Sequence, residues 1–307
     1  MIDAPWDPRH LPAQAGRTIV VTGGNAGIGY FTSEQLAGAG ARVVLASRSR
    51  AKVETAMASI RERVPDADLG FVELDLTSLA SVARAAAELR ELGGIDVLIN
   101  NAGLVVPPGH RTLTDDGFEV LVGGNALGHF ALTAQVFATI RAHGRIVSLG
   151  SMATRMTRLD AADLLSERRY RPFRAYAFSK HAVHGFAFEL DRRLRAAADS
   201  RESLLAHPGY AITGLAERRP GVNDMSRGKR IAETSMAFVA QGKDHGAWPT
   251  VRAAIDPEAE GGQFYGPSRL LTGPPVVLAP VVSSASAEFG ATFWALAEEK
   301  TGLRFQV

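Results

Sequence analysis

The stretch Thr22-Gly23-Gly24-Asn25-Ala26-Gly27-Ile28-Gly29 decides the fold class of this chain. An apolar, β-branched run over residues 18–21 precedes it, and a helical pattern that begins at Tyr30 follows it. Strand, glycine turn and helix in this order are typical of dinucleotide binding, because glycines let the backbone approach a pyrophosphate and the helix N-terminus attracts it. An ordinary glycine-rich turn is the alternative, and the remaining sequence decides between the two.

Short β-branched runs alternate with stretches of helical period along the rest of the chain. The predicted strands cover residues 18–21, 43–46, 71–74, 97–99, 146–149, 204–206 and 263–265. The predicted helices cover residues 33–39, 51–63, 79–91, 118–142, 174–198, 229–240 and 286–300, and Gly302 is the predicted C-cap of the last one. This alternation predicts an α/β fold of the Rossmann type, a doubly wound parallel sheet in a single domain.

Two segments fall outside the alternation. Residues 1–16 are rich in proline and predict an N-terminal arm. Residues 214–260 are rich in glycine and proline and predict an irregular substrate-binding cap over a pocket.

The composition excludes several classes of protein. The 307 residues are 46% hydrophobic and 21% charged, which is ordinary for a globular protein. The net charge of +2 comes from dispersed residues, so no nucleic-acid surface is predicted. The absence of cysteine excludes disulfides and thiolate metal sites and fits a reducing compartment. We see no secretory signal and no unbroken apolar span, and therefore expect a cytoplasmic protein with no membrane partner.

The end of the second predicted strand indicates which dinucleotide binds. Ser47 and Arg48 stand roughly 20–25 residues past the glycines, where such folds meet the adenosine ribose. An acidic residue there would repel a 2′-phosphate, whereas a hydroxyl beside a guanidinium suits it. The sequence therefore favours NADP over NAD as the cofactor. A solvated Arg48 at a strand end is the alternative.

Tyr176 and Lys180 are four residues apart on a predicted helix and therefore share a face. A free phenol has a pKa of about 10 and exchanges protons poorly near neutral pH, and a neighbouring ammonium would lower that pKa. Ser151 follows the fifth predicted strand and Asn101 follows the fourth, at the sheet edge where ligands bind. Asn125 lies inside a predicted helix, where asparagine is unfavourable, so it has either a packing or a functional role.

These motifs together resemble the short-chain dehydrogenase/reductase family, and within it the retinol-dehydrogenase-like branch. The matching motifs are Thr22-Gly23-x-x-x-Gly27-Ile28-Gly29, Asp75-Leu76, Asn100-Asn101-Ala102-Gly103, Asn125-Ala126-Leu127-Gly128-His129-Phe130, Ser151, Tyr176-x-x-x-Lys180 and Pro208-Gly209. They cover residues 18 to 213, in an order and at spacings like those of the family.

The resemblance implies an oxidoreductase that passes hydride between a nicotinamide and a carbonyl or alcohol. Four residues would be catalytic. Tyr176 would exchange the proton and Ser151 would bond the substrate oxygen. Lys180 would hold the nicotinamide ribose and lower the pKa of Tyr176, and Asn125 would hold a water that links Lys180 to solvent.

The resemblance also implies the cofactor-binding residues. They are Gly23, Asn25, Ala26, Gly27, Ile28, Gly29, Ser47, Arg48, Asp75, Leu76, Asn101, Ala102, Gly103, Tyr176, Lys180, Pro208, Gly209 and Thr213. Among them, Asp75 and Leu76 would meet the adenine and Thr213 would meet the carboxamide. As an alternative, Asp75 caps the helix that follows it.

The chain departs from the family pattern in three ways. Gly150 stands where a first serine often precedes the catalytic one. Ser151 and Tyr176 are 25 positions apart, which is wider than usual. The insertion at residues 160–172 would lie beside a helix that many relatives use to dimerise, so both monomer and dimer stay open. The membrane anchors of animal retinol dehydrogenases are not seen, so retinoid activity does not follow.

The substrate is expected to be a small lipophilic carbonyl or alcohol. Apolar residues of the cap would form its wall, although core packing is an alternative for them: Met225, Met236, Phe238 and Trp248. No metal is expected, because no carboxylate completes a site with His181 and His184. His129 is expected to pack within its helix. His207 is a weaker candidate for the edge of the cofactor site.

Two other functions stay open from the sequence. One is an NADP-binding regulatory protein without turnover, but such a protein should have lost Ser151, Tyr176 or Lys180. The other is a sugar-nucleotide epimerase or dehydratase on a similar fold. The glycine at position 27, with Ala26 before it, does not fit the spacing of those enzymes.

Overall fold

The computed structural model describes residues 6–307, so residues 1–5 of the predicted arm lie outside the described residues. The strands are β1 (Thr18–Thr22), β2 (Arg42–Ser47), β3 (Leu69–Glu73), β4 (Ile95–Asn100), β5 (Ile140–Leu149), β6 (Glu202–Ala206), β7 (Ala211–Ile212), β8 (Gln241–Gly242), β9 (Phe264–Pro267) and β10 (Pro275–Val277). The helices are α1 (Gly27–Gly38), α2 (Arg50–Arg61), α3 (Leu79–Arg90), α4 (Val120–Val122), α5 (Gly128–Val136), α6 (Ala153–Met156), α7 (Pro172–Ala196), α8 (Arg227–Thr234), α9 (Lys243–Gly246), α10 (Trp248–Ile255), α11 (Val282–Ala285) and α12 (Ala287–Thr301). A π-helical segment, Gly123–Leu127, joins α4 to α5.

Eight of the strands form one sheet in the order β10-β9-β6-β5-β4-β1-β2-β3. All neighbours in it are parallel except β10, which runs antiparallel to β9 at the edge. The chain builds outward from β1 to β3 and then returns to β4 on the other side of β1. This reversal opens a crevice at the carboxyl ends of the strands, where ligands bind in such sheets. The predicted Rossmann-type fold is confirmed.

Apolar residues point to both faces of the sheet, because side chains alternate along a strand. In β1, Val20 belongs to the core that α3, α5, α7 and α12 cover, whereas Ile19 and Val21 belong to the core under α1, α2 and α10. All three side chains are fully buried. Helices on both faces explain why the parallel strands carry nearly continuous apolar runs.

One helical stretch among residues 6–307, Val120–Thr139, has the length and apolar composition that could cross a membrane. In the fold, 83% of its most apolar window is buried. Phe130, on α5, packs edge-on against Phe186, Trp294 and Phe305. The apolar character of this stretch is thus accounted for by packing in the core.

Two predicted helices are too long, and one strand is missing from the prediction. The predicted helix 118–142 ends at Thr139, because Ile140 already pairs with Ile95 and begins β5. The predicted helix 229–240 is helical only as far as Thr234, and turns follow. The sequence does not predict β10, because Pro274 and Pro275 indicate a break, but Pro275 begins this edge strand, where proline is tolerated.

The predicted cap over residues 214–260 contains the helices α8, α9 and α10, and most of the chain between and after them is irregular. Pro249 lies in the first turn of α10, where proline is tolerated, and therefore does not break the helix. One face of α10 is buried against the sheet. The buried residues recur at helical spacing and are Ala247, Val251, Ala254 and Ile255. Below, "cap" means residues 214–246.

The insertion at residues 160–172 folds as an ordered loop against the body of the protein. Asp163 is 5% exposed and accepts a hydrogen bond from the Arg168 backbone N–H at 3.0 Å. The Tyr170 hydroxyl donates to the Pro108 carbonyl at 2.8 Å. The Tyr170 contact joins the insertion to the segment that follows β4, at the ligand-binding edge of the sheet.

Candidate active site

The glycine turn joins β1 to α1 at the carboxyl edge of the sheet. A Cβ on Gly29 would lie 2.3 Å from the Gly23 carbonyl oxygen, so only glycine fits there. The Asn101 side-chain amide donates to the Thr22 carbonyl at 2.7 Å and ties the turn to the end of β4. No side chain caps α1, whereas serines cap α2 and α3. The first N–H groups of α1 can therefore bind an anion, and the predicted residues that surround them are Asn25, Ala26, Gly27 and Ile28.

The residues predicted to bind the adenosine ribose lie at the end of β2. The Ser47 hydroxyl donates to Asn25 Oδ1 at 2.6 Å and so lies beside the glycine turn. Arg48 is the next residue and is exposed. A hydroxyl and a guanidinium at this corner fit a phosphorylated ribose that approaches from solvent.

Asp75 does not cap the helix that follows it. Ser78 caps α3, and Asp75 Oδ1 instead accepts from the Thr77 backbone N–H at 2.9 Å and the Thr77 hydroxyl at 2.7 Å. The alternative of an N-cap is therefore wrong. The Asp75 carboxylate closes a turn with Thr77, and Asp75 lies three residues before Ser78, the N-cap of α3. The contact of Asp75 and Leu76 with adenine stays a prediction.

Asn125 lies at the centre of the π-helical segment, a geometry found often at functional sites. Its Oδ1 accepts from the Leu104 backbone N–H at 2.7 Å, and its Nδ2 donates to Ser179 Oγ at 2.9 Å. The Ser179 hydroxyl donates in turn to the Tyr176 carbonyl at 2.8 Å. Asn125 therefore joins the loop after β4 to α7. The water that it would hold stays a prediction.

Lys180 and Tyr176 lie on α7 where it passes the end of β5, which Ser151 follows. Lys180 Nζ donates to the Leu149 carbonyl, the last of β5, at 2.7 Å. A Cβ on Gly103 would lie 3.6 Å from the same Nζ, so the predicted cofactor loop reaches the lysine. The Ser151 side chain is near enough to the Tyr176 phenol to lower the pKa of that phenol. The structure thus brings together the residues that the sequence predicted.

Burial is the main influence on the pKa of Tyr176 in the folded chain, and the lowering by Lys180 and a nicotinamide stays a prediction. Burial raises this pKa above its ordinary value by more than Ser151 lowers it. Burial also lowers the pKa of Lys180 to about 8, and the ammonium is bonded to the Leu149 carbonyl. Near neutral pH the phenol therefore holds its proton while Lys180 is charged.

Comparison with known proteins identifies the family of this chain. Residues 17–198 match the short chain dehydrogenase family. The chain belongs to that family.

Two relatives and one solved structure refine the position within the family. Polyprenol dehydrogenase of Mus musculus is 39% identical over 262 residues, which cover 83% of this chain and 76% of the relative. Human retinol dehydrogenase 13 is 40% identical over 212 residues, 68% of this chain and 62% of the relative. The crystal structure of an uncharacterised protein from Mycobacterium paratuberculosis has a TM-score of 0.81 at 36% identity, and the match covers 99% of this chain and 100% of that one. This short-chain dehydrogenase fits the retinol-dehydrogenase-like branch and is an oxidoreductase that acts on CH–OH or C=O groups.

His184 explains why this short-chain dehydrogenase has glycine at position 150. A Cβ on Gly150 would lie 2.3 Å from His184 Nε2, so the imidazole fills the space of a side chain there. The same nitrogen accepts from the Ser151 backbone N–H at 3.4 Å. Burial holds the pKa of His184 well below its ordinary value, so the ring is neutral and can accept. The departure at position 150 is thus matched by a histidine on α7.

The predicted residues after β6 lie beside the cap. The Pro208 carbonyl accepts from Gln241 Nε2 at 2.8 Å, and His207 Nδ1 accepts from the Gly209 backbone N–H at 3.1 Å. Thr213 directly follows β7, which pairs with β8 in a small two-stranded sheet. This small sheet holds the part of the cap that begins at β8 close to Thr213.

His181 uses both ring nitrogens within the fold. Nδ1 is 2.6 Å from Ser284 Oγ and Nε2 is 3.0 Å from the Thr157 carbonyl oxygen. These contacts give His181 a packing role between α7 and α11. The expected absence of a metal stays a prediction.

Lys243 is a candidate cofactor-binding residue that the sequence does not reveal. Its Nζ lies 3.7 Å from the point where a Cβ on Gly27 would stand, over the glycine turn. Gln35 on α1 donates to the Asp244 carbonyl at 3.0 Å and holds α9 in this position. Burial lowers the pKa of Lys243, and Glu233 offsets part of that effect. A lysine of the cap belongs to no motif, and only the folded chain brings it to the turn.

Proposed function

We propose that this short-chain dehydrogenase is an NADP(H)-dependent oxidoreductase that interconverts a lipophilic carbonyl compound and its alcohol. The observation that carries the proposal is the meeting of Ser151, Tyr176 and Lys180 at the sheet edge that also holds the glycine turn. A proton donor, a second hydroxyl for the substrate oxygen and a buried cation are the groups that carbonyl reduction needs.

Each residue of the candidate active site has a separate role in the reaction. A bound nicotinamide supplies the hydride in reduction and accepts it in oxidation. In reduction, the Tyr176 phenol gives its proton to the substrate oxygen while the Ser151 hydroxyl donates a hydrogen bond to the same oxygen. Lys180, with a pKa of about 8, is charged near neutral pH and stabilises the phenolate that Tyr176 leaves behind. Asn125 holds α7 against the cofactor loop through Ser179.

The cofactor fits the residues at the glycine turn. The uncapped start of α1 and the ammonium of Lys243 would hold the pyrophosphate, whereas Ser47 and Arg48 would hold the phosphorylated ribose. The preference for NADP rests on Arg48 and on the absence of an acidic residue beside it.

A lipophilic substrate is supported by the names of the relatives and by exposed apolar groups on the same side of the fold. Polyprenol and retinol are both isoprenoid alcohols. Met156 on α6, five residues past Ser151, is 74% exposed, and Val282 on α11 is 84% exposed. Both line an open groove of about 550 Å³ between α6 and α11. This groove, which apolar and polar side chains line together, lies next to the segment that carries Ser151.

Purified protein tests the proposal directly. NADPH and NADH consumption is measured with a series of isoprenoid and straight-chain aldehydes and ketones of increasing length. We expect NADPH oxidation whose kcat/KM rises with chain length. Tight NADPH binding without turnover on any carbonyl would favour the regulatory protein. Conversion of a nucleotide sugar without net change in NADPH would favour the epimerase.

Replacement of Arg48 by Ala tests the cofactor preference. The variant loses a charge-assisted contact to the 2′-phosphate, so the Kd for NADPH should rise roughly 10- to 100-fold while that for NADH changes little. Arg50→Ala is the matched control, because the Arg50 guanidinium lies over the Phe71 ring, 4.6 Å from its centroid. Equal weakening of both cofactors in Arg48→Ala would remove the support for NADP.

Lys243→Gln tests the contribution of the cap. We expect the Kd for NADPH to rise roughly 10-fold, because the pyrophosphate loses a half-buried cation. Adenosine 2′-phosphate, which lacks both phosphates of the diphosphate bridge, should bind as before. The exposed Lys229, also in the cap, provides the control variant Lys229→Gln. An unchanged NADPH Kd in Lys243→Gln would exclude this lysine from the site.

A further inference from the structure

His129 lies one helical turn after Asn125 and is 3% exposed. Its Nδ1 is 2.9 Å from the Asn125 carbonyl oxygen, and its Nε2 is 2.9 Å from Thr22 Oγ1. Because a carbonyl only accepts, Nδ1 carries the proton and donates to Asn125. Nε2 is then unprotonated and accepts from the Thr22 hydroxyl. The expected role of His129 as a purely packing residue is therefore incomplete, since the ring makes two directed polar contacts.

Thr22 continues the same series of hydrogen bonds. Its Oγ1 accepts from the backbone N–H groups of Asn101 and Ala102, each at 2.9 Å. With donation to His129, the hydroxyl uses its single proton and both lone pairs. The alternative acceptor, the Ile99 carbonyl oxygen, is farther away at 3.3 Å. Each hydrogen bond in the series therefore has only one possible direction.

The neutral form of His129 is the form that this series requires. Burial lowers its pKa to about 4, and the positive charge of Lys180 contributes to the same shift. Thr22 is fully buried, and Asn125 is 1% exposed, so water does not compete for these contacts. Directed hydrogen bonds in such a dry environment fix the relative position of the groups that they join.

We infer that His129 is a positioning residue that couples the cofactor-lining loop, residues 101–103, to the catalytic Asn125 through Thr22. The two ends of this coupling lie on different elements, the end of β4 and the π-helical segment. A shift of the cofactor loop is thereby transmitted to Asn125, and through Asn125 to α7. The inference rests on the proposed function for the roles of Asn125 and of the loop.

A double-variant cycle tests the coupling. NADPH Kd and kcat are measured for Thr22→Val, His129→Phe and the double variant. If the residues act as one unit, each single variant loses roughly 10-fold or more in kcat and the double variant loses no more than the worse single one. His181→Phe is the control, because His181 is also buried but bonds Ser284 and Thr157. The fold-loss of kcat in His181→Phe should multiply with the fold-loss in Thr22→Val when the two variants are combined. Multiplied losses for Thr22→Val and His129→Phe would overturn the inference.

Two conservative variants separate positioning from packing. In His129→Asn the amide can take the place of Nδ1 and donate to the Asn125 carbonyl, so kcat should recover more than NADPH affinity. In His129→Gln the amide oxygen can take the place of Nε2, so NADPH affinity should recover more than kcat. Equal effects of Asn and Gln on both quantities would overturn the inference. If His129→Phe does not fold, His129→Asn and His129→Gln still test the inference.

Hydrogen exchange separates this inference from the proposed function. In the wild type, the amides of Asn101 and Ala102 should be protected, and His129→Asn should expose them while a peptide from β5 stays unchanged. Wild-type protection in that variant contradicts the coupling whether or not the enzyme turns over. Absence of turnover in the wild type with the expected exchange pattern contradicts only the proposed function.

Discussion

Replacement of Tyr176 by Phe is expected to lower kcat/KM for carbonyl reduction by about 10²- to 10⁴-fold, the usual contribution of a positioned proton donor. Two neighbouring basic groups, Lys180 and His184, are not placed to replace the phenol. Lys180 is bonded to the Leu149 carbonyl, and His184, the nearest imidazole to Ser151, is neutral and accepts from the Ser151 backbone. Neither is placed to give a proton to the substrate oxygen.

The control for Tyr176→Phe is cofactor binding. The ring is retained and only the hydroxyl is lost, so the Kd for NADPH and the unfolding temperature should stay near those of the wild type. The affected quantity should be kcat, with little change in KM. Undiminished turnover in Tyr176→Phe would contradict the assignment of the proton donor.

Replacement of Arg219 by Met is expected to lower the free energy of unfolding by about 3–5 kcal/mol, because it leaves a buried carboxylate without its cation. The Arg219 side chain is 5% exposed and bonds both oxygens of Glu34 on α1, at 2.6 and 2.7 Å. Tyr30 donates to the same carboxylate at 2.8 Å. The measurement is urea unfolding at neutral pH, followed by circular dichroism.

Two variants define the origin of that loss. Arg218→Met is the matched control, since Arg218 is adjacent and exposed, and it should change the free energy of unfolding by less than about 0.5 kcal/mol. Arg219→Met combined with Glu34→Leu should regain part of the loss, because the unpaired charge is gone. A loss below about 1 kcal/mol in Arg219→Met would show that the pair behaves like a surface ion pair.

The parallel sheet and the position of the candidate site residues at its edge could be predicted because both depend on local sequence. Strands buried on both faces are continuous apolar runs, and the site residues stand directly after them, as Ser151 does after β5 and Asn101 after β4. The carboxyl ends of parallel strands share one edge, so the order of motifs along the chain places them together.

The parts that could not be predicted depend on contacts between distant segments. The π-helical turn at Asn125 leaves no periodic signal, because it adds one residue to an otherwise apolar helix. The direction of the pKa shift of Tyr176 depends on burial, which follows from packing. Lys243 reaches Gly27 only through the pairing of β7 with β8 and the bond between Gln35 and Asp244.

Transfer of deuterium tests the central claim most directly. The wild-type protein is supplied with NADPH that carries two deuterium atoms at the nicotinamide C4, together with a long isoprenoid aldehyde, and the alcohol is analysed by mass spectrometry. We expect one deuterium on the carbinol carbon of each alcohol formed, and about 10²- to 10⁴-fold slower labelling in Tyr176→Phe. NADPH that binds but transfers no deuterium to any carbonyl, or equal labelling rates in the two proteins, would contradict the account.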